Sequence, residues 1–230
     1  MTTSIRDYQE GALENLAQVD NYNKWLVSKF ENHLGKSILE IGSGLGNITL
    51  KVKDRGFNII PTDVDKTFLK YLKKISKNAF YLDITGPNSN IKGRFDTIIA
   101  INVLEHIKND VQALKNIYNL LPAGGTFVGL VPAHKILFGS YDQSAGHQRR
   151  YSKIELSRKF AKVGFSILQI KYYNKLSALG WFINARLFKR KGFPRLQLSL
   201  LKLLVPFLDF FDKIIPFEFG ISIICIAKKS

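Results

Sequence analysis

Cysteine is almost missing from this 230-residue chain; Cys225 is the only one. That excludes a disulfide framework, a cysteine-based zinc site and an iron–sulfur cluster. Acids are scarce too, at 18 Asp and Glu against 34 Lys and Arg, which leaves a formal charge of +16. The imbalance is local: from His147 to Arg195 there are thirteen Lys or Arg and a single acid, Glu155. Such a surface either aids solubility or meets an anionic partner, and charge alone does not choose among a phosphate-bearing substrate, an anionic lipid surface and a nucleic acid. Met1 to Glu10 has no apolar core, so no secretory signal is expected and a cytoplasmic location fits. There is no repeat and no low-complexity tract.

What is present is a core-forming composition, 46% hydrophobic, in a length that suits one α/β domain with an insertion. Asn21 to His33 has helical spacing, with Tyr22, Trp25, Leu26 and Phe30 near one face, and Gly35 breaks it. Strands are expected at Ser37–Ile41, Phe57–Pro61, Ala79–Leu82, Phe95–Ile101, Thr126–Val131, Phe165–Tyr172 and Ile221–Ala227. Helices are expected between them: Ile48–Arg55 closed by Gly56, Lys66–Ser76 capped by Asp65, Asp110–Leu121 stopped by Pro122, and a helix reaching Lys162 behind the Ser152/Glu155 capping box. This alternation argues for a mostly parallel sheet wrapped on both faces.

Asn174 to Phe219 departs from that regularity. Ser199, Lys202, Pro206, Asp209 and Lys213 recur at steps of three and four, while nearly everything else from Leu196 to Ile215 is apolar. With Lys202, Asp209, Asp212 and Lys213 inside it, the segment is a poor membrane span. It suits a helix lying in a membrane interface, with Arg186, Lys189, Arg190, Lys191 and Arg195 just upstream to meet lipid phosphates. A helix packed over the core or against a second subunit, making a homodimer, is the competing expectation.

The most informative stretch is Ser37-Ile38-Leu39-Glu40-Ile41-Gly42-Ser43-Gly44-Leu45-Gly46-Asn47. A buried strand meets three alternate glycines and then a helix, so a Cβ there would block either the turn's dihedrals or a ligand. The spacing is not that of a dinucleotide fingerprint, and Asp63 ends the next apolar run. These residues resemble the cofactor loop of the class I S-adenosylmethionine (SAM)-dependent methyltransferases. Asn102-Val103-Leu104-Glu105-His106, Val131-Pro132-Ala133 and Gly139-Ser140-Tyr141-Asp142…Gly146-His147-Gln148-Arg149-Arg150-Tyr151 extend the resemblance. They look like one methyltransferase type 11/12-like subgroup, often linked to polysaccharide or polyprenyl-glycan genes.

The resemblance implies a Rossmann-like α/β fold: a seven-stranded, mostly parallel sheet with helices on both faces and an antiparallel last strand. Residues 1–230 then form one domain, with a helical cap at 1–35, a core at 36–173, an apolar and basic insertion at 174–219 and the last strand at 220–230. Glu40, Gly42, Ser43, Gly44 and Gly46 would line the SAM site. Asp63 and Val64 would take the ribose, Asp83 and Ile84 the adenine, and Asn102 and Val103 the methionine end.

Methyl transfer needs alignment of an acceptor and loss of its proton. His147, His106, Arg149 and Tyr151 are the candidates on the acceptor side, the arginines for their fit to phosphate or carboxylate. One of Arg149 and Arg150 is expected in the site, the other in a structural pair such as one with Asp142. No metal is expected. Some ubiquinone-pathway O-methyltransferases carry a metal-holding E-x-x-E-H motif here, but Asn102 takes its first place, and Glu105 with His106 alone make a poor hard-cation site. The expected activity is O-methylation of a small or lipid-linked anionic acceptor. Against nucleic-acid methylation stand the Ile101-Asn102-Val103-Leu104 sequence, which is not the Asn-Pro-Pro-aromatic loop of amino-directed base methylases, and the lack of a free nucleophilic cysteine. A non-catalytic scaffold of the same fold is the remaining alternative, disfavoured by the intact glycine loop.

Overall fold

The computed structural model describes residues 11, 14, 19–87, 91, 93–181, 203–214, 216 and 218–230. Seven strands form one sheet: β1 (Ile38–Ile41), β2 (Ile59–Asp63), β3 (Phe80–Tyr81), β4 (Thr97–Ile101), β5 (Thr126–Pro132), β6 (Phe165–Tyr173) and β7 (Ser222–Lys229). Their order is β3-β2-β1-β4-β5-β7-β6. The first five run parallel, and β7 lies antiparallel between β5 and β6. The mostly parallel Rossmann-like sheet expected from the sequence is the one observed.

The central strands are buried on both faces, which explains their unbroken apolar runs. On one face β1, β4 and β5 pack against α4 (Asp110–Leu120) and α6 (Lys153–Val163) through Leu39, Ile98, Leu114, Ile117, Phe127 and Phe160. The other face meets α1 (Asp20–Ser28), α2 (Asn47–Lys53) and the Val205–Leu208 segment through Ile38, Ile99, Val128, Leu26 and Val52. Between β2 and β3 runs α3 (Lys66–Ile75), whose N-cap Asp65 accepts from the Thr67 N–H. In the same way Ser152 caps α6 by accepting from the Glu155 N–H, and Gly164 closes that helix at φ 101°.

β2 runs two residues past the expected end. Pro61 has no N–H and reads as a stop, but β3 pairs only with Thr62 and Asp63, so that N–H is not needed on that side. Two short helices, α5 (Ser140–Ala145) and α7 (Lys175–Trp181), were not anticipated as separate elements.

The described part of the insertion packs against the core. In α8 (Leu208–Ile214) and the turn before it, Val205 and Leu208 enter the core, Lys213 is exposed, and the partly exposed Asp209 and Asp212 find partners on neighbouring elements. Asp209 accepts from Trp25 Nε1 at 2.6 Å and pairs with Lys29. Asp212 caps α7 by accepting from the N–H groups of Asn174 and Lys175, each at 2.9 Å. These partners satisfy the two partly covered carboxylates. Leu203, Phe207, Phe210 and Ile214 are left more than half exposed. Arg186, Lys189, Arg190, Lys191, Arg195, Ser199 and Lys202 lie outside the described residues. Among the described residues no helix is long and apolar enough to cross a membrane.

Candidate active site

In the strand order, β1 is followed on one side by β2 and on the other by β4, which comes later in the chain. Such a reversal opens a crevice at the carboxyl ends of the strands. The glycine turn fills one wall of it. Gly42, Gly44 and Gly46 have φ of 66°, 55° and 81°, in the left-handed region that side chains resist. A Cβ on Gly42 would stand 2.7 Å from Val103 Cγ2, and one on Gly46 2.6 Å from Ile75 Cδ1. Of the two reasons the sequence offers for glycine here, the turn and its packing are therefore sufficient.

Hydrogen bonds from β2 fix the turn. Thr62 donates through its hydroxyl to the Glu40 carbonyl at 2.7 Å, and the Ser43 N–H donates to the Thr62 carbonyl at 2.9 Å. Asp63 accepts from the Gly44 N–H at 2.8 Å and from the Asp65 N–H at 2.9 Å. Burial raises the Asp63 pKa, against the pull of those two N–H groups. Beneath the turn lies Glu40, fully enclosed, with the Thr49 hydroxyl donating to it. Burial pushes the Glu40 carboxyl up to about 7.

Past β4 the chain turns at Asn102, a non-glycine at φ 54°, and enters a 3-10 turn, Leu104–His106. A second segment closes over it. After α5, Gly146 turns the backbone at φ 76°, and the Gln148 N–H donates to the Glu105 carbonyl at 2.7 Å. His106 and His147 then stand ring edge to ring face, centroids 4.7 Å apart. Asp142, at 0% exposure, accepts from His147 Nδ1 and from Arg150 Nε, both at 2.8 Å. With Nδ1 protonated toward that carboxylate, the His147 Nε2 lone pair is left for other work. Burial raises the Asp142 pKa, but His147 and Arg150 more than reverse it.

Glu105 is also at 0% exposure, and neither carboxyl oxygen has a hydrogen-bond partner. Burial pushes it up to about 7, against the opposing charges of His147 and Arg150. His106 is pushed down to about 4, first by burial and then by the neighbouring His147.

A methyltransferase domain model matches residues 14–170, most of the sheet and all of the site above. The chain belongs to that family. SAM is its cofactor. Among solved structures, a SAM-dependent methyltransferase from Archaeoglobus fulgidus superimposes with a TM-score of 0.63, at 15% identity over 90% of this chain and 92% of that one, which shows the shared fold. Juvenile hormone acid O-methyltransferase of Bombyx mori is 27% identical over 159 residues, 65% of this chain and 55% of its own length. A ribosomal RNA small subunit methyltransferase C of Haemophilus influenzae is 31% identical over 111 residues, 41% of this chain and 34% of that one. The chain thus spans about half or less of the curated relatives it matches.

The residues expected on the cofactor side can be placed on the sheet. Gly42, Asp63, Val64, Asp83, Ile84, Asn102 and Val103 all lie at the carboxyl edge of β1 to β4. The set fits SAM: carboxylates at the ends of β2 and β3, Gly42 and Asn102 exposed at the crevice, and Val103 between them and the core. Glu40 and Ser43 are buried beneath this surface and hold the turn. Asp83 accepts from both the N–H and the hydroxyl of Thr85, at 2.9 and 2.7 Å. A cavity of about 590 Å³ opens beside Asp83, lined also by Phe80, Pro87, Ile91 and Arg94, but it includes no glycine-turn residue.

The acceptor-side residues divide. His106 and His147 come together as described. Tyr151 is a correction: it is fully buried, donating to Asp110 Oδ2 at 2.8 Å with the Leu104 carbonyl at 3.1 Å, so it holds the 3-10 turn and cannot touch an acceptor. Arg149 is engaged internally by the Lys108 carbonyl at 2.7 Å and Asp110 Oδ2 at 3.2 Å. Arg150 is the structural arginine, buried on Asp142. What the sequence reading missed is Asp142 as the partner that orients His147. The five-residue spacing across a turn was the available signal.

Proposed function

We propose that the chain is a SAM-dependent methyltransferase that acts at oxygen on a small or lipid-linked anionic acceptor. The observation that carries this reading is the group at the edge of β4: a buried, unpartnered Glu105 beside a His147 whose tautomer Asp142 sets. When bound, the cofactor supplies an electrophilic methyl group on a sulfonium. The protein's own part is to hold the acceptor over Val103 and to receive or disperse its proton. The His147 Nε2 lone pair suits an acceptor hydroxyl that needs deprotonation, and the buried Glu105 carboxyl lies close behind it.

An anionic acceptor is supported by the +16 charge and its concentration after His147. A lipid-linked one is supported by the exposed Leu203, Phe207, Phe210 and Ile214, and by the subgroup that Gly139–Asp142 and Gly146–Tyr151 resemble. On this reading the insertion rests on an anionic membrane surface. A second reading, RNA methylation, is favoured by the ribosomal RNA relative and the basic charge.

Calorimetry with SAM, followed by deuterated-methyl SAM incubated separately with lipid extract and with RNA, tests the proposal. The lipid fraction should gain the labelled methyl group, and Asp63→Ala should weaken SAM binding at least tenfold, about the value of a charged hydrogen bond. Unchanged affinity in that variant would refute the cofactor assignment; label found only in RNA would replace the acceptor class.

A further inference from the structure

Glu105 is an anomaly that methyl transfer alone does not explain. An ionised carboxylate without hydrogen bonds in a closed interior is strongly unfavourable, by several kcal/mol on general grounds. The nearby cation does not relieve it by contact. Arg150 is taken by Asp142 and by the Ala133 carbonyl at 3.2 Å, and Glu105 feels it only through space. Both oxygens remain without a partner.

One of the two histidines beside it is supported from behind. His147 presents Nδ1 to Asp142 Oδ1 at 2.8 Å. His147 is thereby fixed through one nitrogen, with the other left over. The His106 ring stands against that of His147, edge to face. One atom from each of Glu105, His106 and His147 lies within 4.8 Å of the other two. Histidine ligands to metals show this same habit, donating the far N–H to a carboxylate or carbonyl that fixes the ring.

We propose that Glu105, His106 and His147 together bind one divalent transition-metal ion. Two imidazoles and one carboxylate suit Zn²⁺, Fe²⁺ or Co²⁺ better than Mg²⁺ or Ca²⁺, which prefer oxygen. Three protein ligands leave a position for an outside oxygen, the arrangement of catalytic rather than structural sites. The local charge agrees. Asp142 and Arg150 cancel each other, so the ion's charge answers Glu105. Sequence alone counts two ligands here; the third arrives from forty residues away, on the loop that Gly146 turns.

The site's use rests on the reading given under Proposed function. An acceptor hydroxyl bound to such an ion gives its proton to solvent more readily, and the His147 lone pair then serves as ligand instead of base.

The test uses the full chain, stripped with a chelator and titrated with Zn²⁺ and with Co²⁺ in the absence of SAM. One ion per chain is expected, with visible Co²⁺ absorption showing nitrogen ligands. His147→Gln and Glu105→Gln should each lower affinity at least tenfold, and Asp142→Asn by ten- to a hundredfold through the ring it orients. Circular dichroism and SAM calorimetry on each variant separate loss of a ligand from loss of the fold. Absence of stoichiometric binding, or binding that His106→Ala and His147→Gln leave unchanged, would overturn the proposal. Full methyl transfer by metal-free protein that binds no ion would sink it while leaving the methyltransferase reading intact. Tight binding without methyl transfer to any acceptor would do the reverse.

Discussion

The glycine turn sits on a buried carboxyl, and changing Glu40 to glutamine should alter how stability depends on pH. Glu40 is 3% exposed, and its polar partner is the Thr49 hydroxyl. Burial moves its pKa from 4.5 to about 7 in the folded protein. The folded state therefore favours the protonated acid. Below pH 4.5 the group is protonated folded and unfolded alike, and it exerts no pH-dependent effect. Between pH 4.5 and 7 the unfolded chain sheds the proton first, so stability falls as pH rises; above 7 the whole loss is present. About two and a half pH units at ~1.4 kcal/mol each give a loss on the order of 3 kcal/mol. Glutamine keeps the acceptor for Thr49 and a donor in place of the acid proton, but it never ionises. Urea unfolding of the cofactor-free wild type and of Glu40→Gln, compared from pH 4.5 to 8, isolates this group, since other titrations cancel. The variant should gain on the wild type by roughly that amount across the window. Parallel curves would show that Glu40 titrates alike in both states, and the argument from burial would be wrong.

Other perturbations test separate parts of the structure. Gly42→Ala forces a Cβ into the left-handed region, costing ~1–2 kcal/mol, and into Val103; adding Val103→Ala should recover only the contact part, as thermal unfolding would show. If the double variant regained all the stability, the dihedral argument would be lost. Tyr151→Phe removes a donor to Asp110 and should destabilise by about 1–2 kcal/mol with SAM affinity intact; a specific loss of SAM binding would mean the ring does touch the crevice. Phe207→Asp with Phe210→Asp should abolish flotation with anionic vesicles while changing stability by less than about 0.5 kcal/mol each. Flotation that persists would remove the membrane reading of α8.

Sheet, turn and caps were legible because their causes are local. The apolar run at Thr97–Ile101 has to be buried on two sides, and the caps at Asp65 and Ser152 satisfy N–H groups only two or three residues away. Gly42, Gly44 and Gly46 announced a left-handed turn by type alone. Where sequence reading failed, the deciding partner was distant. Tyr151 precedes a helix cap and could have faced either way; Asp110, 41 residues earlier, draws it inward. In the insertion the spacing showed a polar stripe but not what that stripe would meet. Trp25 and Lys29, 184 and 180 positions upstream, claim Asp209.

That attachment bears on function beyond α8. Asp209 and Asp212 fasten the insertion to α1 and to the start of α7, so the exposed apolar residues are held on a framework rather than on a loose tail. The same logic governs the reactive edge. Gln148 is tied to the Glu105 carbonyl, and Arg150 anchors Asp142, so the loop carrying His147 is positioned by its own neighbours on both sides. Arg150 is consumed in that anchoring, and Arg149, the arginine left for an anion, is held by the Lys108 carbonyl and Asp110. An acceptor's negative charge must then be met by something else, and the space between Glu105, His106 and His147 is where a cation would both relieve the buried carboxyl and draw the acceptor in.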